Sequence, residues 1–215
     1  MSMTLLKNRS LEDFSGELSS SSAAPGGGSA AALSGALGAA LVSMVCRLTI
    51  GKKEYEEYEE ELKEVLALSE DLRKNLVNAV DVDAGAYGMV MEAFALPKQT
   101  EEEKTVRREA IQKAFREACE SPRKTSLWCL EVLRLCARVS GKVNLNAASD
   151  LGVGANQALA GLEGAVMNVL INLPSIKDEE YTDHLREEVE ETEEEGRILK
   201  AGVLREVLAY IGGAD

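Results

Sequence analysis

The chain has 215 residues, of which 45% are hydrophobic, 4% aromatic and 28% charged, and its formal net charge is −13. This length favours one domain with one core, and the scarcity of aromatic residues and of proline favours helices over sheets. The excess of negative charge argues against nucleic acid and against an anionic membrane surface as partners. We therefore predict a single all-α domain over residues 1–215, built as a bundle of about six main helices.

The cysteines and the single histidine argue against a metal site. No two cysteines form a CxxC pair, and the histidine is distant from all of them in sequence, so a zinc site is not expected. With no secretory signal at the start of the chain, free thiols in a reducing cytoplasm are the expectation. The residues concerned are Cys46, Cys119, Cys129, Cys136 and His184.

The first predicted helix follows a loop rich in Ser and Gly at residues 19–28. Ser29 is a suitable N-cap, and the helix runs over residues 30–50. Gly35 and Ala39 lie on one face, where a small-residue surface lets another backbone approach closely. The apolar run from 30 to 46 is shorter than a usual membrane span and follows acidic residues, so we interpret it as a buried core helix.

Three further helices are predicted in the middle of the chain. Residues 52–95 form an amphipathic helix that ends before Pro97. A third helix covers residues 106–118, and Ser121 with Pro122 is typical of the cap and first residue of a fourth helix that runs to about 139. The buried stripe of the second helix is predicted to consist of Leu62, Leu66, Leu72, Leu76, Val80, Tyr87, Val90 and Phe94.

The last part of the chain predicts two more helices. A loop at residues 141–149 leads into a fifth helix over 151–173, with Ser149 or Asp150 as its cap. Small residues recur at four-residue and three-residue spacing in this helix and indicate a second close-packed face. An acidic sixth helix begins near Asp178.

Asp83 is a carboxylate on an apolar stripe. At about 100° per residue it falls between Val80 and Tyr87, whereas Asp81 points to the opposite side. A carboxylate that faces a core costs several kcal/mol unless it is paired, hydrogen-bonded or neutralised. Asp83 is therefore either part of a structural ion pair or cap, or a functional group.

Two polar clusters accompany this carboxylate. Gly26, Gly27, Gly28 and Ser29 precede a helix start, where backbone N–H groups can cradle an anion or an electron-rich ring, although an ordinary turn has the same pattern. A second cluster at a helix entrance is either a capped loop or part of a site. Together with Asp83 these groups could line one pocket between helices. The second cluster consists of Asn144, Asn146, Ser149 and Asp150.

Three motifs in order carry a family resemblance. They are Pro25-Gly26-Gly27-Gly28-Ser29, Asp83-x-x-Ala86-Tyr87-x-x-Val90, and Asn144-x-Asn146-x-x-Ser149-Asp150 followed by Asn168-Val169-Leu170-Ile171-Asn172. Over nearly the whole chain the sequence resembles the cyclodeaminase/cyclohydrolase family, the C-terminal half of formiminotransferase-cyclodeaminase. The resemblance implies an all-α fold, usually a homodimer, that acts on one-carbon tetrahydrofolates without a metal or redox cofactor.

The resemblance supports the glycine turn, Asp83 and the Asn144 cluster as pocket residues without assigning each a role, and the chemistry of the side chains gives the expected roles. Three are expected to be catalytic: Asp83, Asp150 and Asn146. The expected substrate-binding residues are Gly26, Gly27, Gly28, Ser29, Tyr87, Lys142, Asn144 and Ser149. Because the folate tail is anionic, basic residues should receive it, and the candidates are Lys52, Lys53, Lys142, Arg123 and Lys124.

The resemblance leaves two reactions on one-carbon tetrahydrofolates open. A methenyltetrahydrofolate cyclohydrolase opens the methenyl bridge with water, and a formimidoyltetrahydrofolate cyclodeaminase closes a formimino group with loss of ammonia. Since the chain has no formiminotransferase portion, the cyclohydrolase is the expectation and the cyclodeaminase the alternative. A helical scaffold or binding protein without catalysis is a third interpretation, because a fold does not fix a function.

Overall fold

Six α-helices account for most of residues 5–212, the part of the chain that the computed structural model describes, and this part contains no strand. The predicted all-α bundle is confirmed. Short 3-10 turns lie between several of the helices. The helices are α1 (Leu11–Leu18), α2 (Gly27–Thr49), α3 (Glu59–Ala95), α4 (Glu101–Val139), α5 (Ala148–Leu170) and α6 (Glu179–Gly212).

Helix α4 joins the predicted third and fourth helices, so the predicted break at Ser121 and Pro122 is wrong. Thr100 and Glu103 form a capping box that starts the helix. Pro122 lies inside α4 and is buried. A proline there removes one backbone hydrogen bond, to the carbonyl of Ala118, but the helix continues because apolar residues on both sides of Pro122 pack into the same core.

Other helix boundaries also differ from the prediction. Helix α2 begins at Gly27 with Gly26 as its N-cap, so Ser29 lies inside the first turn and does not cap it. Helix α5 begins at Ala148, so Ser149 and Asp150 are helical residues and not caps. Before α3, residues 53–58 form a 3-10 turn and the α-helix starts only at Glu59.

Helix α1 is an element that the sequence analysis missed. Ser10 caps it by accepting a hydrogen bond from the backbone N–H of Asp13, at 3.0 Å. Its one buried residue, Phe14, packs with Ala32, Ala79 and Val80. A helix of eight residues shows too little periodicity to stand out from sequence alone.

The central pair of the bundle is α2 and α5, which run antiparallel and meet through small residues. A Cβ atom added at Gly161 would lie 2.7 Å from the backbone nitrogen of Gly35 and 2.8 Å from the carbonyl oxygen of Ala31. One added at Gly38 would lie 2.9 Å from the carbonyl of Gly154. The predicted close packing at both small-residue faces is confirmed, and it places the first turn of α2 next to the last turns of α5.

The four cysteines are free and buried on α2 and α4. Burial raises the pKa of the Cys46 and Cys119 thiols to about 11, and that of Cys129 and Cys136 to about 12. In an apolar interior the charged thiolate is disfavoured, so these side chains behave as small hydrophobic groups.

Candidate active site

A cleft of about 420 Å³ opens between the start of α2, the second half of α3, the middle of α4 and the end of α5. This volume lies in the range of small-molecule sites. We call it the α2–α3 cleft. Its polar lining includes Asp83, Asn168, Asn172 and the backbone of Gly26, Gly27 and Gly28, and its apolar lining includes Tyr87, Val90, Met91, Phe94 and Phe115.

Among the described residues, Asp83 is the only carboxylate that lines this cleft. The Ser29 hydroxyl lies 3.2 Å from its Oδ2 and 2.9 Å from the carbonyl oxygen of Val80, and its single proton can be donated to either. The backbone N–H of Ser29 also bonds to Asp83. The carboxylate thus sits over the first turn of α2, where the helix dipole favours negative charge.

No cationic side chain within residues 5–212 pairs with Asp83. Burial therefore dominates and raises the pKa of this carboxyl above 3.8, although the hydrogen bonds from Ser29 oppose the shift. The predicted structural ion pair is not present in this part of the chain. Two interpretations remain: a cap for α2 and a reacting group.

Asp81 lies on the other face of α3, as predicted, and there it contacts the N-terminal segment. Its Oδ1 accepts the backbone N–H of Leu6 at 2.6 Å, and Lys7 lies 3.9 Å from its Oδ2. Asp81 therefore holds the N-terminal segment against α3, and replacing it would disturb packing rather than leave it unchanged.

Gly28 lets Asp83 approach the helix start. A Cβ atom there would lie 2.7 Å from Oδ2 of Asp83 and closer still to Cγ and Oδ1. At Gly27 the same atom would meet the Asn168 amide at 3.5 Å. The glycines thus bring the backbone of α2, the carboxylate and an amide side chain together, as the sequence pattern predicted for the first two.

The apolar wall of the cleft corrects one prediction. Tyr87 and Phe94 are 49% and 44% exposed and line the open cleft, so they do not belong to the buried stripe of α3. After Val80 the buried residues of this helix are Ala86 and Ala93. Phe94 and Phe115 pack edge to face with ring centroids 6.1 Å apart. An apolar and aromatic wall opposite a carboxylate suits a flat ring system.

Asn168 and Asn172 line the cleft and belong to the third motif, but they are not among the predicted site residues. They lie one turn apart near the end of α5, and the amide nitrogen of Asn172 donates to the carbonyl of Asn168 at 2.9 Å. The available signal was two amides at i and i+4 at the end of an otherwise apolar helix.

The second polar cluster does not join this cleft within one chain. The amide nitrogen of Asn144 donates to the carbonyl of Leu48 at 3.3 Å, and its backbone N–H donates to Thr49 at 2.9 Å. Because α2 spans Gly27 to Thr49, the two ends are about 33 Å apart at 1.5 Å per residue. The single pocket predicted for Asp83 together with Asn144, Asn146, Ser149 and Asp150 is therefore not formed within this chain.

The predicted cationic residues also lie away from the α2–α3 cleft. Lys142 pairs with Glu61 at 2.9 Å, and Arg123 pairs with Glu188 at 2.7 Å. Lys124 lines a separate cavity beside Trp128. Lys52 and Lys53 follow the distant end of α2. None of the five lines the cleft, and their sequence positions alone could not reveal these partners.

No three His, Cys, Asp or Glu side chains between residues 5 and 212 are grouped closely enough to hold a metal ion. The groups available for chemistry in the cleft are thus one carboxylate with a raised pKa, two side-chain amides and the N–H groups of a helix start. This set can stabilise a cation and transfer a proton.

Comparison with known proteins assigns the family. The chain is 45% identical over 199 residues to the methenyltetrahydrofolate cyclohydrolase of Methylorubrum extorquens, with 93% of each chain covered. It is 36% identical to the formimidoyltransferase-cyclodeaminase of Sus scrofa, of which it spans 37%. The crystal structure of a formiminotetrahydrofolate cyclodeaminase from Thermotoga maritima superposes with a TM-score of 0.78 at 28% identity, covering 97% of this chain and 98% of that one. Since a sequence model of the family also matches residues 10–191, the chain belongs to the formiminotransferase-cyclodeaminase family.

Proposed function

We propose that this protein is a methenyltetrahydrofolate cyclohydrolase, which opens the methenyl bridge with water to give formyltetrahydrofolate. Support comes from the 45% identity to a cyclohydrolase, which extends over 93% of both chains. The cyclodeaminase reaction is the second candidate, because relatives and a structural neighbour carry that name.

One observation carries the chemical part of the proposal: Asp83 is a carboxylate in the cleft, and no cationic side chain among residues 5–212 pairs with it. The substrate's amidinium is a cation whose charge is spread over a carbon and two nitrogens. An unpaired carboxylate stabilises this charge. Its raised pKa brings Asp83 closer to the pH at which a general base works best.

The reaction then needs three proton transfers. Water adds through its oxygen to the bridging carbon, Asp83 accepts a proton from that water, and a neutral tetrahedral carbinolamine forms. Asp83 then returns this proton to one of the two folate nitrogens as the bond between that nitrogen and the carbon breaks. The hydroxyl of the carbinolamine gives up its own proton, through Asp83 to solvent, and becomes the carbonyl of a formyl group on the other nitrogen. No oxidation state changes, so the proposed step requires no redox cofactor.

We also propose that the protein is a homodimer that meets through the outer face of α2 and α5. Leu37 and Leu48 are each 47% exposed on α2, Met167 is 65% exposed on α5, and Ile171, directly after α5, is 75% exposed. The only charged side chain of α2 is Arg47. Both helices are long and apolar enough to cross a membrane by length and composition alone, but most of α2 is already buried in the core. The outer face of α2 is apolar and exposed although the rest of the helix lies in the core. Exposed apolar patches of this kind mark protein–protein interfaces, and we propose that a second copy of the chain covers this one.

Dimerisation would also explain the separated polar clusters. If two α2 helices pair antiparallel about a two-fold axis near Gly38, the start of one lies beside the end of the other. The partner subunit's Asn144, Asn146 and Asp150 would then approach the cleft that contains Asp83. The predicted catalytic set would be shared between two chains.

The two reactions are distinguished by incubating the pure protein with methenyltetrahydrofolate and with formiminotetrahydrofolate in separate assays. A cyclohydrolase lowers the methenyl absorbance in the first assay, whereas a cyclodeaminase raises it in the second. If the absorbance changes in neither assay, the chain is a binding protein and the proposal is wrong.

The dimer is tested with Leu37→Glu and with the matched change Leu68→Glu on an exposed position of α3. We expect light scattering to give twice the chain mass for the unchanged protein and for Leu68→Glu. Leu37→Glu should be monomeric, because a charge in an apolar interface costs several kcal/mol. A dimer that persists in Leu37→Glu would place the interface elsewhere.

A further inference from the structure

A groove of about 590 Å³ on the surface of α4 and the α5–α6 connection is lined mainly by cations. We call it the basic groove. Four of its side chains are positive, against one negative side chain, Glu109, in a chain whose net charge is −13. Its cations are Arg108, Lys113, Arg116 and Lys177.

Two of these cations lack a carboxylate partner in the described part of the chain. Arg108 donates only to the hydroxyl of Thr105, at 3.0 Å, and Lys177 forms no ion pair within residues 5–212. Arg116 is held 2.6 Å from Asp178. Elsewhere on α4, Arg123 and Arg134 are both held by carboxylates of α6. The basic groove therefore keeps positive charge, whereas these two arginines of the same helix are neutralised.

The basic groove continues from the α2–α3 cleft along two walls. On α4, Phe115 lines the cleft, and Gln112 and Arg108 follow towards the helix start in the groove. After α5, Asn172 lines the cleft and Lys177 lines the groove. The Gln112 side chain joins these walls, because it donates to the carbonyl of Ser175 at 2.9 Å and accepts the backbone N–H of Lys177 at 2.7 Å.

We propose that the basic groove binds the γ-linked glutamate tail of a polyglutamylated folate whose ring system occupies the cleft. This inference rests on the proposed function. Seven residues separate Phe115 from Arg108, or about 10 Å along the helix, a distance comparable to the aminobenzoyl group and first glutamate. Each added glutamate brings another carboxylate, which an arginine holds through paired hydrogen bonds and a lysine as a point charge.

Arg107 is a further cation of α4, beside Phe94 of the α2–α3 cleft and adjacent in sequence to Arg108 of the basic groove. Its guanidinium donates to the carbonyl of Phe94 at 3.2 Å and lies 5.6 Å from the centre of that ring. No carboxylate pairs with it in the described residues. An anionic tail that leaves the cleft past Phe94 would meet this cation before it reaches Arg108.

The experiment compares KM for the monoglutamate and pentaglutamate forms of methenyltetrahydrofolate. The test variant carries Arg108→Gln and Lys177→Gln. The control carries Arg205→Gln and Lys200→Gln, which remove the same two charges from α6, where neither side chain forms an ion pair in the described residues. Thermal unfolding of all three proteins checks that the fold is kept.

We expect the test variant to raise KM for the pentaglutamate about tenfold while kcat, and KM for the monoglutamate, change less than twofold. The unchanged protein should show a KM for the pentaglutamate that rises with salt, because exposed charge pairs are screened, and the test variant should lose most of this dependence. Equal effects on both substrates, or an equal effect of the control, would overturn the tail site while the cyclohydrolase stands. No turnover of the monoglutamate by the unchanged protein would overturn both.

Discussion

Asp83 combines two features that a single substitution can separate. It accepts hydrogen bonds from the first turn of α2, as a cap would, and it has no cationic partner in the described chain. An asparagine keeps the shape and an acceptor oxygen, and it caps a helix about as well as aspartate. It cannot accept a proton from water.

We therefore expect Asp83→Asn to lower kcat by a factor on the order of 10² to 10⁴ while the protein stays folded. Activity assays and denaturant unfolding measure the two effects. The matched control is Asp71→Asn, an exposed carboxylate on the same helix whose side chain is 74% exposed, and it should change neither. Normal turnover by Asp83→Asn would remove Asp83 from the mechanism.

The pH dependence of this variant follows from the direction of the pKa shift. The folded chain holds the Asp83 proton more tightly than the unfolded chain, because burial raises this pKa above 3.8. The stability that this proton contributes is complete below pH 3.8 and is lost as pH rises through the folded pKa. Asp83→Asn should thus be at least as stable as the unchanged protein at pH 7, with the difference shrinking towards pH 4. The acid limb of its kcat/KM profile should disappear with the carboxylate.

Gly28 tests whether the position of the carboxylate matters as well as its charge. In Gly28→Ala the new methyl group would occupy the place of the Asp83 carboxyl, so the side chain must rotate away. A displacement of about 1 Å at a reacting group can cost on the order of 10² in rate. Gly202→Ala is the matched control, since nothing lies within 4 Å of its added Cβ. Equal activity of the two variants would show that Asp83 acts without a fixed position.

At the scale of single helices, the second half of α3 is the least packed element around the site. Cavities lie on several of its sides, and glycines at 85 and 88 have nothing within 4 Å of an added Cβ. Glycine inside a helix costs roughly 0.5–1 kcal/mol relative to alanine. The sequence retains them on a segment that carries Asp83 and Tyr87.

Gly85→Ala and Gly88→Ala should therefore each raise the free energy of unfolding by roughly 0.5–1 kcal/mol, measured by urea denaturation. Gly161→Ala is the opposing case, because its Cβ would meet the backbone of Gly35 and Ala31. Overpacking there should lower stability by roughly 1–3 kcal/mol. Destabilisation by either α3 variant would mean that a surface of the assembled protein covers this part of the helix.

Helix type and central packing could be predicted from the sequence because they depend on local periodicity. The glycine and alanine spacing of α2 and α5 predicted their close approach, and Asp83 stood out against its apolar neighbours. The break predicted at Pro122 is wrong because the helix residues on both sides of it pack into the core. This tertiary packing outweighs the one lost backbone hydrogen bond. Ser29 is not the predicted N-cap because its hydroxyl donates to the carbonyl of Val80 on α3, 51 residues away in sequence. The shared pocket predicted for Asp83 and the Asn144 cluster is not formed within this chain. The order of motifs along a sequence does not show how far apart they lie in the fold.

At the scale of the whole molecule, charge and burial are separated in space. Helix α6 carries much of the acid and is joined to α4 by exposed pairs such as Arg134 with Glu195, at 2.7 Å. Such pairs contribute about 0–1 kcal/mol each. The apolar contacts that α2 makes with α3, α4 and α5 supply the larger part of the stability, and the four thiols lie within this core.

The reactivity of the buried thiols should report how fast the folded chain opens. Burial raises the pKa of these thiols to about 11 to 12, so little thiolate forms at pH 8 in the folded chain, and only a thiolate attacks a disulfide reagent. When the reagent is in excess, colour should develop in one slow phase that counts four thiols per chain and follows the unfolding rate constant. A rapid phase that counts one thiol in the native protein would show that part of the core opens by itself.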